Sequence, residues 1–120
     1  MPNDESFKEV TAQLVAFRDA RDWKQFHTPR QMAAAIAIEA GELQHTMLWK
    51  TEAEVDAGLS SSSLTAAISD EIADILSFVL LLAHDLGLDP AEVIRRKLQT
   101  NEKRYPVEKS RGCSTKYDKL

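Results

Sequence analysis

Three observations in the sequence predict an all-α domain built as a four-helix bundle. Helix-start signals with proline at the first helical position stand at Thr28-Pro29 and Asp89-Pro90. Apolar residues return at intervals of three and four over long stretches, the spacing of a buried helix face. No run alternates apolar and polar residues as a half-buried strand would.

The elements follow in chain order. Asp4 is placed to cap a first helix that runs to about residue 22, with Phe7, Val10, Leu14 and Phe17 on one face. Thr28-Pro29-Arg30-Gln31 has the form of a capping box and starts a second helix reaching about residue 48. Residues 50–63 are polar, contain Gly58 and the run Ser60 to Ser63, and predict a flexible connection. A third helix spans about residues 64–86, and Gly87 suits the left-handed position after its end. Asp89-Pro90-Ala91-Glu92 opens a fourth helix to about residue 103, which Pro106 stops. Residues 1–107 therefore form the domain, and residues 108–120 a basic, polar tail, extended or partly ordered.

Composition narrows the function. With 120 residues the chain is one domain of modest burying power, for which self-association is a remedy. The third helix sharpens the point, because between Ile72 and Ala83 only Asp74 and Ser77 are polar and a small bundle cannot cover every side. The net charge of −4 counts against a nucleic-acid partner, which needs cations to replace phosphate counterions. The apolar run is too short and too acidic to span a bilayer, so no membrane partner is expected. A single cysteine, Cys113, allows no internal disulfide and fits a reducing cytoplasm.

Two acidic couplets stand out, Glu39-x-x-Glu42 in the second helix and Glu71-x-x-Asp74 in the third. Residues three apart share a helix face, so each couplet presents two carboxylates together, and two such helices in contact would converge four. Glu39 falls on the apolar stripe of Met32, Ile36, Leu43 and Met47. Two carboxylates about 4 Å apart repel by about 4 kcal/mol at an effective dielectric of about 20. Ordinary ion pairs are an alternative, but the third helix holds no Lys or Arg and the second only Arg30 near its start. A hard divalent cation with oxygen ligands answers the repulsion better: Mg2+, with Mn2+ as substitute. A di-iron bundle would need a second Glu-x-x-His couplet beside Glu42-x-x-His45, and Leu81 stands three residues before His84.

Aromatic residues gather at the ends of the second helix: Trp23, Phe26 and His27 before it, Trp49 after it. They complete a core or, beside the acids, form a stacking platform for a nucleobase. On the fourth helix Lys97, Asn101 and Arg104 share a face next to Tyr105. Such a face is a solvated basic stripe unless it looks at the acids, where it supplies donors for a polyphosphate; Arg111, Lys116 and Tyr117 of the tail add to it. Metal-binding acids, cations and a ring platform together describe a nucleoside triphosphate site.

These residues resemble the MazG-like superfamily of all-α nucleotide pyrophosphohydrolases, and within it the dCTP pyrophosphatases. The similarity rests on the Glu-x-x-Glu and Glu-x-x-Asp couplets, on Arg21 to His27, Gly41-Glu42-Leu43, Trp49-Lys50, Lys97-x-x-x-Asn101-x-x-Arg104-Tyr105-Pro106, and Ser114 to Tyr117. It implies a MazG-like bundle assembling as a homodimer or homotetramer and hydrolysing dCTP, or 5-modified dCTP, to dCMP and pyrophosphate in nucleotide-pool house-cleaning. It also implies Mg2+ held by Glu39, Glu42, Glu71 and Asp74, which are the catalytic residues. Trp23, His27 and Trp49 are implied at the base, and Lys97, Asn101, Arg104, Tyr105 and Lys116 at the phosphates or sugar. One departure is Phe78, where the most similar dCTP pyrophosphatases carry a tyrosine; the lost hydroxyl loosens the expected preference for cytosine and deoxyribose. The competing functions are the same reaction on dUTP or a broad set of non-canonical nucleotides, and a non-enzymatic helical interaction module.

Overall fold

The structure, a computed structural model, describes residues 5–120. The described residues form six α-helices: α1 (Glu5–Ala20), α2 (Pro29–His45), α3 (Glu52–Ser60), α4 (Ser63–Asp85), α5 (Pro90–Arg104) and α6 (Val107–Ser110). Two short 3-10 turns, Lys24–Phe26 and Tyr117–Lys119, complete the order. The expected cap Asp4 lies outside the described residues. All-helical architecture is therefore observed, as the helical periods require.

The predicted start signals act as capping sites. Thr28 accepts a hydrogen bond from the Gln31 amide at 3.3 Å, and Asp89 accepts from the amides of Ala91 and Glu92, in both cases with proline next in the chain. Gly87 has φ +68°, and the Leu88 amide reaches back to the Ala83 carbonyl at 2.8 Å, the closure of a helix by a left-handed residue. The second helix ends at His45, three residues earlier than its periodicity predicts, and continues as a tightened turn to Trp49. Trp49 itself adopts φ +66°, a conformation rare for a bulky side chain.

One expectation is corrected. Residues 50–63 are not a flexible connection, because α3 occupies Glu52–Ser60. Thr51 caps it reciprocally: the Glu54 amide donates to Thr51 Oγ1 at 3.1 Å, and the Thr51 amide donates to Glu54 Oε1 at 3.3 Å. The serines then make a tight corner, with Ser62 at φ +72°, that folds α3 back on α4. Gly58 permits the approach, since a Cβ there would lie 2.9 Å from Leu64 Cβ.

The long helix α4 is the axis of the fold, and α2, α1 and α3 all pack against it, α2 most extensively. Met32 of α2 and Leu64, Leu80 and Leu81 of α4 form the buried apolar core. Helix α5 packs extensively on none of the other helices. Much of the apolar surface stays open: Ile72 and Leu76 of α4 are 44% and 46% exposed, and Phe7, Val10 and Phe17 of the predicted first-helix face are exposed too. The residue of α1 that is buried is Arg18. No helix among the described residues is long and apolar enough to cross a membrane.

Candidate active site

The extensive α2–α4 contact sets the acids. Spaced three apart, Glu39 and Glu42 leave α2 on one side, and Glu71 leaves α4 toward them. One carboxylate oxygen from each of Glu39, Glu42 and Glu71 lies within 4.8 Å of the others. Asp74, one turn further along α4, lies outside that trio, but its charge bears on both Glu39 and Glu71.

Electrostatics record the crowding. Partial burial, then the neighbouring Glu42, and then Asp74 and Glu71 push the Glu39 carboxyl up to about 7 from an ordinary 4.5. Glu71 is raised as well, first by burial and next by Glu42. Glu39 Oε2 and Glu71 Oε2 are buried without a hydrogen-bond partner. Buried carboxylate oxygens without donors are costly, and here one from α2 and one from α4 belong to the same acidic cluster. The donor set is all oxygen and formally anionic, which fits a hard divalent cation and not a soft one.

The aromatic residues divide. Trp23 packs edge-to-face on Phe17 at 5.7 Å between ring centres, with the Arg21 guanidinium over Phe17 at 3.7 Å. His27 meets Phe78 edge-to-face at 6.3 Å, so the turn before α2 and the middle of α4 share one wall. Trp49 is 91% exposed and does not complete a core within this chain. The α5 and tail residues form a separate group: Tyr105 packs on Tyr117 at 5.9 Å, the Arg104 guanidinium lies over Tyr117 at 4.6 Å, and Lys116 Nζ is 5.9 Å from the same ring. Lys97 and Asn101 lie further up α5, which makes no extensive contact with α2 or α4.

A feature that helical periodicity misses is the ion pair of Arg18 and Asp85, with Nη1–Oδ2 at 2.7 Å and Nη2–Oδ1 at 2.9 Å. It stands near His27: burial first, and Arg18 second, hold the His27 imidazole below its ordinary value. The signal available in the sequence is slight: an arginine that directly follows the apolar run Val15-Ala16-Phe17 of the first helix.

The sequence matches the MazG-like family over residues 34–120. It is 35% identical to dCTP pyrophosphatase 1 of Rattus norvegicus over 119 residues, covering 99% of this chain and 68% of that protein. Against dCTP pyrophosphatase 1 of Homo sapiens the identity is 34%, with the same coverage of 99% and 68%. In three dimensions the chain is similar to a crystal structure of a pyrophosphatase from Archaeoglobus fulgidus, with a TM-score of 0.78 and 32% identity over 88% of this chain and 97% of that one.

Proposed function

The chain belongs to the MazG-like family and is a nucleotide pyrophosphohydrolase, and from that premise we propose that its substrate is dCTP, or 5-modified dCTP, cleaved to dCMP and pyrophosphate with Mg2+. The observation that carries the metal requirement is the convergence of Glu39, Glu42 and Glu71 with two buried, unpartnered carboxylate oxygens. In this reading those three and Asp74 hold the ion. When bound, Mg2+ would neutralise triphosphate charge and draw electron density from the oxygens of the phosphoryl group whose phosphorus the water attacks. One of Glu39, Glu42 or Glu71, holding the ion through a water and not by direct ligation, would orient the attacking water and take its proton. Lys97, Asn101, Arg104, Tyr105 and Lys116 are assigned to the phosphates and sugar, where Arg supplies a bidentate fork and Lys a point charge.

Trp23, His27 and Trp49 are assigned to the base. The contact of His27 with Phe78 supports a shared wall, and the exposure of Trp49 leaves its ring free to stack. Phe78 offers no hydroxyl, which favours a second reading in which dUTP or a broader set of nucleotides is also accepted.

Self-association as a dimer or tetramer belongs to the same proposal. Its support is the uncovered apolar surface of α1 and α4 and a radius of gyration of 17.7 Å, well above the value of about 14 Å for a compact chain of this length. The deciding experiment is turnover with Mg2+ against dCTP, 5-methyl-dCTP, dUTP, dTTP, dATP, dGTP and CTP, scoring pyrophosphate separately from orthophosphate. Metal-dependent pyrophosphate release fastest with dCTP or its 5-methyl form is the expected result; equal rates on every base would overturn the cytosine preference.

A further inference from the structure

Arg18 is 1% exposed, the charged residue that the fold buries, while its partner Asp85 keeps a side chain 17% exposed. Their bidentate pair spans 67 positions of sequence and ties the last turn of α1 to the last residue of α4. A buried ion pair is a weak source of stability, since apolar side chains of similar volume often serve a core as well or better. Its position points to another use. The Arg18 carbonyl accepts from the amides of Arg21 at 3.1 Å and Trp23 at 3.2 Å, so the same residue anchors the turn that leads through Trp23 to His27. His27 closes that turn, its amide donating to the Lys24 carbonyl at 3.0 Å, and its Nδ1 is buried with no hydrogen-bond partner.

We propose that the Arg18–Asp85 pair is a positioning element for the base pocket, setting the place of His27. The inference rests on the assignment of His27 to the nucleobase. Four titratable groups bear on the imidazole or on its neighbour: Arg18 from α1 acts on it directly, Asp85 from α4 opposes Arg18, and Lys24 of the intervening turn and His84 of α4 act on Asp85. Burial and the Arg18 cation both disfavour a second positive charge on the ring. A neutral imidazole keeps one donor and one acceptor nitrogen for directional hydrogen bonding, and a fixed ring offers a base a wall shared with Phe78. Pairing with Asp85 is what allows Arg18 to be buried at this spot, because an unpaired guanidinium would draw in water.

The test is an NMR titration of His27, assigned with a His27→Gln variant, in the full chain and in Arg18→Met, Arg18→Lys and the double variant Arg18→Met/Asp85→Leu, alongside pH profiles of kcat and KM. His27 should titrate below the ordinary imidazole range in the unmodified protein and distinctly higher in Arg18→Met, where Asp85 stands alone. Arg18→Lys, which keeps the charge, should restore the lower titration. Should Arg18→Met fail to fold, the double variant decides, and a His27 titration unchanged from the parent overturns the proposal. In kinetics the loss in Arg18→Met should lie in KM, rising about tenfold for each pH unit below the raised imidazole pKa. A merely structural role would lower kcat at every pH instead and would overturn the positioning role. A moved titration with a KM indifferent to pH would overturn the placement of His27 at the base, while leaving the electrostatic link between the pair and the ring established.

Discussion

Glu39 of α2 and Glu71 of α4 point at one another across the helix contact, and each keeps one buried carboxylate oxygen with no partner. Their repulsion is a standing cost to the fold in the absence of metal. Glu39→Gln is therefore expected to abolish pyrophosphate release, by at least about a hundredfold, while raising the thermal midpoint of the metal-free protein. Asp74→Asn should also abolish release. Parallel activity assays and thermal melts in chelator check both, and full activity in both variants would remove the acids from the mechanism.

The same cluster sets a pH dependence. A carboxyl raised from 4.5 to about 7 on folding contributes stability that is present below the unfolded value and lost as pH climbs through the folded one. Metal-free protein should thus lose stability between about pH 4.5 and pH 7 from this group. Mg2+ should restore it, with a larger rise in melting temperature at pH 8 than at pH 5, and with proton release on binding near pH 7. Melts with and without Mg2+ at the two pH values, and calorimetry in buffers of different ionisation enthalpy, supply the check.

Gly58→Ala tests how α3 seats on α4. Alanine favours the helix by about 0.5–1 kcal/mol, but its methyl would stand 2.9 Å from Leu64 Cβ and 3.2 Å from Leu64 Cδ2. Leu64 belongs to the buried core and has little freedom to retreat. A net destabilisation of about 1–2 kcal/mol is expected by denaturant unfolding; a stabilised variant would show that α3 is loosely held.

Asp85→Ala leaves the Arg18 guanidinium buried without its carboxylate. The expected cost is about 3 kcal/mol in denaturant unfolding, the lower end for a broken buried pair because Asp85 retains some solvent contact. Since Arg18 holds Asp85 below the usual carboxylate range, the contribution is present at neutral pH and disappears as acid protonates Asp85. Parent and variant should converge in stability at low pH.

Local chemistry was legible and tertiary pairing was not. The caps at Thr28 and Asp89 and the left-handed Gly87 are written in spacings of one to four residues and appear where those signals put them, whereas of the two couplets Glu39, Glu42 and Glu71 converge and Asp74 lies outside the trio. Helix α3 was legible in principle, since Thr51-x-x-Glu54 is itself a capping box, but Gly58 and the four serines outweighed it. In the fold that glycine is a seat for Leu64, and the serines are a corner. Arg18 could not be read locally, because the residue that makes its burial tolerable lies 67 positions away. The first-helix stripe of Phe7, Val10 and Phe17 is apolar in the sequence, yet this chain alone leaves it uncovered.

Trp49 carries a consequence of a different kind. Its left-handed backbone holds the indole out in solvent, 91% exposed, whereas Trp23 is tucked against Phe17 at 43%. The two indoles of this protein should therefore emit at different wavelengths, the red component belonging to Trp49. The chain has a built-in optical reporter: anything that covers that ring, nucleotide or neighbouring subunit, should shift its emission to the blue without a label, and Trp49→Phe should silence the signal.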